Sequence, residues 1–330
     1  FEYQLVPMFA FGSADLAGLG KIAWHWFPYE RIFQEITVSL SALQFAYNNS
    51  RGDNFNRIKA SLDFRLKKKD LKGYVDNYLR ISAISATDLD MLINDHTVAQ
   101  RQFYSLKFEH KNDRNINRYN IVTGVQLSHD FAKADLEANY RFNYLYDKAL
   151  DIRFVGGWFL YKAPLLPSLY DFSLSGTSGL NDYTYDHLFF GRFENPASQN
   201  ILGSQFAKNG GGFAVWSPLG QTSNWMAAVN VTTSVPFPEK EILQFYGNAA
   251  IVEEAEPVAG YNSGLFHYDA GAKLIIMKDD IEIYFPLLMS KSIRTYSNAI
   301  HTNYLQKIRF VINLNGFNFF EVFRKQKTLF

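Results

Sequence analysis

Strict alternation of apolar and polar side chains runs through long stretches of this chain and limits the folds open to it. From position 58 to position 67, even positions are apolar and odd positions are polar or charged. A period of two is that of a β-strand, whose successive side chains point to opposite faces, whereas a helix repeats every 3.6 residues. The same alternation recurs over 104–109, 136–144, 225–232, 266–276 and 308–314. We therefore predict an all-β fold.

The length of these stretches favours a membrane-spanning sheet over a soluble one. Several of them reach about 10 residues, the length that a tilted strand needs to cross a bilayer. Strands of globular proteins usually end after about 5–6 residues. Aromatic residues make up 17% of the chain, with 30 Phe and 20 Tyr, and rings gather at membrane–water boundaries. A soluble β-sandwich could also be aromatic. We predict a transmembrane antiparallel up-and-down β-barrel of about 14 strands, with a range of about 12–16 because such barrels usually close with even numbers.

The connections between these strands are of two kinds. Short polar turns are predicted near 27–30, 67–72, 112–115, 147–149 and 278–280, and longer connections at 88–98, 253–263 and 288–303. Short turns on one side and long loops on the other are typical of outer-membrane barrels. We place the barrel at 1–314.

The alternation is weak from 163 to 212, where Gly, Pro, Ser and Asn are frequent. A stretch this long without regular structure is either functional or wrongly assigned. It could fold into the barrel as a plug, stand outside as a partner-binding loop, or contain one more hairpin, for example around Tyr183–Phe190.

Helical patterning is nearly absent. The one candidate lies in the predicted C-terminal tail at 315–330, where Phe319, Phe320 and Phe323 accompany Arg324, Lys325 and Lys327. These residues could form a short amphipathic helix at the membrane surface. An ordinary structured tail explains them equally well.

Alternation also assigns side chains to the two faces of the predicted barrel wall. The lumen-facing charges are Lys59, Asp63, Arg65, Lys107, Glu109, Glu137 and Arg141. The lipid-facing residues are Leu62, Phe64, Leu106, Phe108, Tyr140, Phe142, Tyr144, Val229, Leu274, Phe310 and Ile312. The lumen charges could line a selective pore, or neutralise one another in ion pairs that fill a closed barrel. Their mixed signs favour the ion pairs.

No catalytic, cofactor-binding or metal-binding residues are predicted. The chain has no H-E-x-x-H zinc motif, no G-x-S-x-G nucleophile elbow and no cysteine. The glycines at 210–212 lack the Lys-Ser/Thr of a phosphate-binding loop. The acidic pairs at 253–254 and 279–280 fall in predicted loops and are interpreted as solvated charges. A formal net charge of +1 gives no electrostatic reason to expect nucleic acid as a partner.

The absence of cysteine agrees with passage through an oxidising periplasm, where mispairing is a hazard. Chance absence in a cytosolic protein is the alternative. Because the chain opens at Phe1 without a signal peptide, we interpret it as mature, trimmed or cut from a longer protein. The expected location is the outer membrane of a Gram-negative bacterium.

Several segments resemble known barrel families. The run Pro7–Ser13, followed by Leu16–Lys21, is similar to the opening of the barrel domain attached to certain gluzincin-type zinc aminopeptidases. Segments 55–59, 269–271, 281–287 and 308–314 fit the same domain, and the last three also resemble closing strands of the barrel-assembly and two-partner-secretion superfamily. The first resemblance implies that a peptidase active site would belong to a preceding part of a longer protein and that the first strand or strands lie outside this chain.

Four functions follow as hypotheses. The first is a non-catalytic outer-membrane anchor or scaffold for a periplasmic or surface domain or a partner protein. The second is a transporter or protein-translocation or assembly barrel, and the third is an outer-membrane enzyme with a site in a loop or in the wall. A soluble β-rich binding protein is the fourth. The expected partners are outer-membrane lipid, including lipopolysaccharide, and a protein partner or linked domain.

Overall fold

The fold is that of a computed structural model. It describes residues 1–10, 15–29, 32–48, 53–68, 73–87, 100–145, 148–175, 183–184, 186, 204–235, 242–253, 258–261, 264–277 and 281–313.

One antiparallel sheet of 14 strands dominates the structure, and each strand is hydrogen-bonded to the next along the sheet. Its strands are β1 (Glu2–Ala10), β2 (Asp15–Trp26), β3 (Phe33–Asn48), β4 (Asp53–Leu66), β5 (Val75–Thr87), β6 (Gln100–Asn112), β7 (Arg118–Ser128), β8 (Phe131–Leu145), β9 (Lys148–Lys162), β12 (Trp225–Ser234), β13 (Leu243–Val252), β14 (Phe266–Met277), β15 (Ile281–Met289) and β16 (Arg309–Ile312). Two short strands, β10 (Phe172–Ser173) and β11 (Gln221–Thr222), pair separately. The predicted all-β, antiparallel up-and-down architecture and the count of about 14 strands are confirmed.

The two faces of this sheet differ as the alternation requires. On β5, for example, Ser82 and Ile84 are buried whereas Ile81 and Ala83 are exposed. The register carries the same parity across neighbouring strands, since Ser82 lies opposite Ser61 on one side and Ser105 on the other. The face that contains Ser82 is called the inner face below, and the opposite one the outer face.

The chain between β9 and β12, residues 163–224, is called the inner segment, and its described residues lie against the inner face. These residues bond to β4 through Arg57, to β7 through Gln126 and to β14 through Asp269. A single segment can reach strands this far apart in the sheet order only if the sheet curls around it. Of the predicted extra hairpin at 183–190, the structure describes only 183, 184 and 186, where Tyr183 and Thr184 form a turn.

The two ends of the curled sheet carry different connections. The connections 88–99, 163–224, 253–265 and 290–308 leave from one end, here called the long-loop end. The connections 113–117, 146–147, 235–242 and 278–280 lie at the other end, here called the short-turn end. The short connections 11–14, 49–52 and 129–130 also lie at the long-loop end, but all the long connections leave from that end, which is the predicted asymmetry.

The edges of the sheet are β1 and β16. Among the described residues no ladder joins β1 to β16, and the free edge of β16 bonds instead to the inner segment, where the Phe206 amide donates to the Phe310 carbonyl at 3.0 Å. Residues 314–330, which include the predicted tail and its helix, lie outside the described part, so the boundary at 314 stays a prediction.

An α-helix corrects one expectation. Helix α1 (Lys291–Ile300) occupies the long connection between β15 and β16, where the sequence indicated only a loop. It buries Ile293 against the inner segment and the wall, so tertiary packing stabilises a helix of only 10 residues. No helix in the described part of the chain is long and apolar enough to span a membrane.

Candidate functional site: the charged interior around the inner segment

The predicted lumen charges share the inner face, and most of them form ion pairs between strands. Asp63 pairs with Arg80, and Arg65 lies 2.9 Å from Asp76. Glu137 accepts from Arg153 at 2.9 Å, whereas Arg141 lies 3.5 Å from Asp151. Lys107 and Glu109 stand on the same face of β6. Asp63, Arg65, Glu137 and Arg141 thus have partners within the wall. The role of the predicted residues as lumen charges stays a prediction.

Lys59 has its partner in the inner segment rather than in the wall. Arg57 Nη1 lies 2.5 Å from Asp186 Oδ1 and also donates to the Thr184 carbonyl at 2.7 Å, while Lys59 Nζ lies 3.3 Å from the same carboxylate. Burial alone would raise the pKa of Asp186, but the positive charges of Lys59 and Arg57 outweigh it and hold that pKa below its usual range. The ionised pair ties the middle of the segment to β4.

A second set of bonds ties the later part of the segment to the wall. Arg153 donates to the Gly210 carbonyl at 3.0 Å, and the Asn230 amide donates to the Gly211 carbonyl at 2.6 Å. Arg309 donates to two backbone carbonyls of the segment, those of Ser204 at 2.8 Å and Gln205 at 3.1 Å. These directional bonds fix the path of the segment, and Phe206, Phe213 and Val215 add apolar contacts with the wall.

The first part of the segment is held differently, by an aromatic enclosure around Lys133 of β8. The ammonium donates to the Tyr170 carbonyl at 2.9 Å. It also lies 4.3–5.6 Å from the ring centroids of Tyr183, Phe172, Phe159 and Phe131. Rings attract a cation through their negative faces, most strongly where water is excluded. This half of the segment therefore packs as a small hydrophobic core with one buried cation.

Two cavities lie between the described residues of the segment and the wall. The larger, about 400 Å³, lies at the short-turn end and is lined by Lys208 and Gly212 of the segment. The other, about 300 Å³, lies beside β4 to β9 and is lined by Asn209 and Gly210. Arg153 lines both. The turn at 208–212 and the Arg153 guanidinium therefore stand between the two spaces.

The predicted lipid-facing residues all lie on the outer face. Their positions follow from the register, in which Leu62 lies opposite Ile81 and Phe310 opposite Ile283. Leu106, Phe108, Tyr140, Phe142, Tyr144 and Val229 are exposed, and Leu62, Phe64, Leu274, Phe310 and Ile312 are half-buried. Contact of this face with lipid stays a prediction.

Several residues of the interior were not among the predicted charges. Arg57 and Arg153 follow the same alternation as Lys59 and Glu137, so parity alone could have added them. Asp186 and Lys208 belong to the inner segment, where no periodicity indicates which side chains meet the wall. No cluster of three or more potential metal ligands occurs among the residues that the structure describes.

Comparisons with known proteins add little to this geometry. No protein-family model and no curated protein matches the chain. Among solved structures, CdiB from Acinetobacter baumannii is similar at 12% identity and a TM-score of 0.40, over 85% of this chain and 48% of that one. The chain thus spans about half the length of that protein. A likeness this distant carries no argument about the function of this chain.

Proposed function

We propose that this chain is a transport barrel of the Gram-negative outer membrane and that the inner segment gates it. The observation that carries the proposal is the arrangement of the two cavities, which are separated by the turn at 208–212 and by Arg153. A side chain and a short turn are a thin barrier. Movement of this turn away from Arg153 would join the two polar spaces.

The outer face supports the membrane part of the proposal. Its exposed residues include Trp24, Trp26, Tyr104, Leu106, Phe108, Tyr140, Phe142, Trp158, Leu160 and Tyr161. Monomeric soluble proteins rarely expose contiguous apolar surface above a few hundred Å². Strands of up to 16 residues are also longer than a globular sheet needs. A bilayer accounts for both features.

The bonds that hold the turn at 208–212 support the gating part. Arg153 and Asn230 bind its carbonyl groups, and each such hydrogen bond contributes only about 0.5–3 kcal/mol net. A barrier held by a few bonds of this size can open without unfolding the wall. The resemblance of segments 269–271, 281–287 and 308–314 to barrel-assembly and two-partner-secretion proteins agrees with transport of a protein or another cargo.

One observation favours the non-catalytic anchor as the second candidate. The first part of the segment packs in an apolar cluster with Phe103, Phe131 and Tyr170, all of which are nearly inaccessible to solvent. Such a cluster resists movement. If this packing keeps the whole inner segment immobile, the barrel stays permanently filled. Its function would then be to anchor a linked domain or a protein partner.

Single-channel conductance in planar bilayers distinguishes the two. We expect the detergent-folded chain to conduct intermittently, and Arg153→Ala to raise the open fraction because the barrier loses both its guanidinium and its tie to Gly210. Arg80→Ala is the matched control, since Arg80 lines only one cavity and its ion pair stays within the wall. Silence from folded wild type and from folded Arg153→Ala would reject transport and leave the anchor.

A further inference from the structure

The cavity at the short-turn end has an excess of basic side chains. It measures about 400 Å³, within the range of small-molecule sites. The basic residues of its lining are Lys111, Arg118, Arg141, Arg153, Lys208 and Lys273, and the acidic ones are Asp151 and Glu282. A space enclosed by low-dielectric walls and lined mainly by one sign of charge concentrates the field inside it.

Two lysines in this lining share a single carboxylate. Lys208 of the inner segment pairs with Glu282 Oε2, and Lys273 Nζ lies 3.5 Å from Glu282 Oε1. The Tyr284 hydroxyl also donates to Glu282, at 2.5 Å. One carboxylate neutralises one ammonium, so this cluster retains about one positive charge.

A second uncompensated positive charge lies across the same cavity. Lys111 Nζ lies 2.9 Å from Asp113, and the Arg118 guanidinium lies 4.0 Å from the same carboxylate. Arg153 and Arg141, by contrast, have the carboxylates of Glu137 and Asp151. Among the described side chains the lining and its ion-pair partners therefore hold about two positive charges in excess.

We propose that this cavity binds a small solute carrying a phosphate group. Lys208 and Lys273 would supply both charge and hydrogen bonds to the phosphate oxygens. A phosphate dianion matches the two positive charges in excess, whereas a single carboxylate would leave one of them unbalanced. The inference deepens the transport proposal by naming a substrate class, and it rests on that proposal insofar as the bound solute is cargo.

Binding is measured by isothermal titration calorimetry on the full detergent-folded chain, with inorganic phosphate and glycerol phosphate as probes and acetate at matched ionic strength as the comparison. We expect both phosphates to bind and acetate to bind at least about tenfold more weakly. Lys208→Gln leaves Lys273 to neutralise Glu282, so the fold is retained. It should weaken phosphate binding about tenfold, equivalent to about 1.4 kcal/mol.

Two further variants separate this site from general electrostatics. Lys107→Gln also removes an inner-face lysine, but from the lining of the other cavity, and should leave the affinity unchanged. Glu282→Gln should tighten phosphate binding, because both lysines then lack their carboxylate. Equal affinity in wild type and Lys208→Gln, or no phosphate binding by the folded wild type, overturns the proposal. Phosphate binding by a barrel that never conducts would retain the site and reject transport.

Discussion

Arg57 on β4 and Asp186 in the inner segment form an ion pair of 2.5 Å across 129 positions of the sequence. The guanidinium is almost fully buried, and the same carboxylate is within 3.3 Å of Lys59. Two cations of one strand therefore converge on one acid of the segment. This contact decides where the middle of the segment meets the wall.

Arg57→Ala should destabilise the folded chain by about 1–3 kcal/mol, because it removes one donor from the Thr184 carbonyl and one from the Asp186 carboxylate. Lys59 keeps Asp186 from being wholly unpaired and limits the loss. The measurement is urea unfolding in detergent, followed by circular dichroism. Arg80→Ala removes a half-exposed partner of Asp63 and should change stability by less than about 1 kcal/mol. If both variants lose the same free energy of unfolding, the ion pair between β4 and the inner segment stabilises the chain no more than an ion pair within the wall.

Acidification should release the middle of the segment. Lys59 and Arg57 hold the pKa of Asp186 below its usual range despite burial. A carboxyl group with a lowered pKa in the folded state stabilises that state fully above its unfolded pKa, about 3.9, and loses this contribution as the pH falls through the folded value. Hydrogen exchange at 183–186 should therefore be constant from about pH 5 to pH 7, after correction for the intrinsic rate, and accelerate below about pH 4.

Asp186→Asn is the control for this pH dependence. It removes the titrating group, so exchange at 183–186 should already be fast at neutral pH and should lose its acid-dependent step. An acid-dependent step that persists in Asp186→Asn would assign the effect to another group.

Two adjacent glycines of β9 should respond oppositely to a methyl group. A Cβ on Gly157 would lie 2.6 Å from the Phe172 ring of the inner segment, whereas a Cβ on Gly156 would meet only the Phe154 ring at an ordinary 3.5 Å. Gly157→Ala should therefore displace β10 and lower the free energy of unfolding by about 1–3 kcal/mol through overpacking. Gly156→Ala, on the outer face, should be neutral or slightly stabilising. Urea unfolding of both variants tests this, and similar stabilities would mean that β10 adjusts freely.

Lys133→Met should loosen the first part of the segment while keeping the length of the side chain. The ammonium loses its bond to the Tyr170 carbonyl and its attraction to the surrounding rings, which together account for about 1–3 kcal/mol. Limited proteolysis within residues 163–175 should become faster. Lys107→Met is the control, because Lys107 lies on the same inner face but on β6, two strands away from β8. Unchanged or slower proteolysis in Lys133→Met would show that an apolar side chain serves this enclosure as well as a cation.

The wall could be predicted from the sequence because alternation is a local property. The parity of Lys59, Asp63 and Arg65 against Leu62 and Phe64 fixes both faces of β4, and the register transmits that parity to the neighbouring strands. Strand number and the asymmetry of the connections follow from the same periodicity.

The interior could not be predicted in the same way. Lys208 and Asp186 reach their partners through an irregular backbone, so no spacing links them to Glu282 or Arg57. In helix α1 the apolar residues Ile293, Tyr296 and Ile300 have helical spacing, but they span only about two turns, a stripe too short to distinguish a helix from a loop. Cavities and shared carboxylates depend on which distant residues meet, and a single sequence does not encode that in any local pattern.

The outer face offers the most direct test of membrane insertion. Leu106 stands at the centre of β6 and is exposed, whereas Leu145 is exposed at the last residue of β8, at the short-turn end. In a bilayer an arginine costs about 2–4 kcal/mol at the midplane and about 0–1 kcal/mol near the interfaces. Leu106→Arg should therefore impair folding into lipid vesicles, and Leu145→Arg should not. In water both positions are equally solvated, so a soluble sheet would tolerate both substitutions. Equal folding yields for the two variants in vesicles would therefore contradict insertion at this depth, whereas a selective loss for Leu106→Arg would locate the centre of β6 within the hydrocarbon layer.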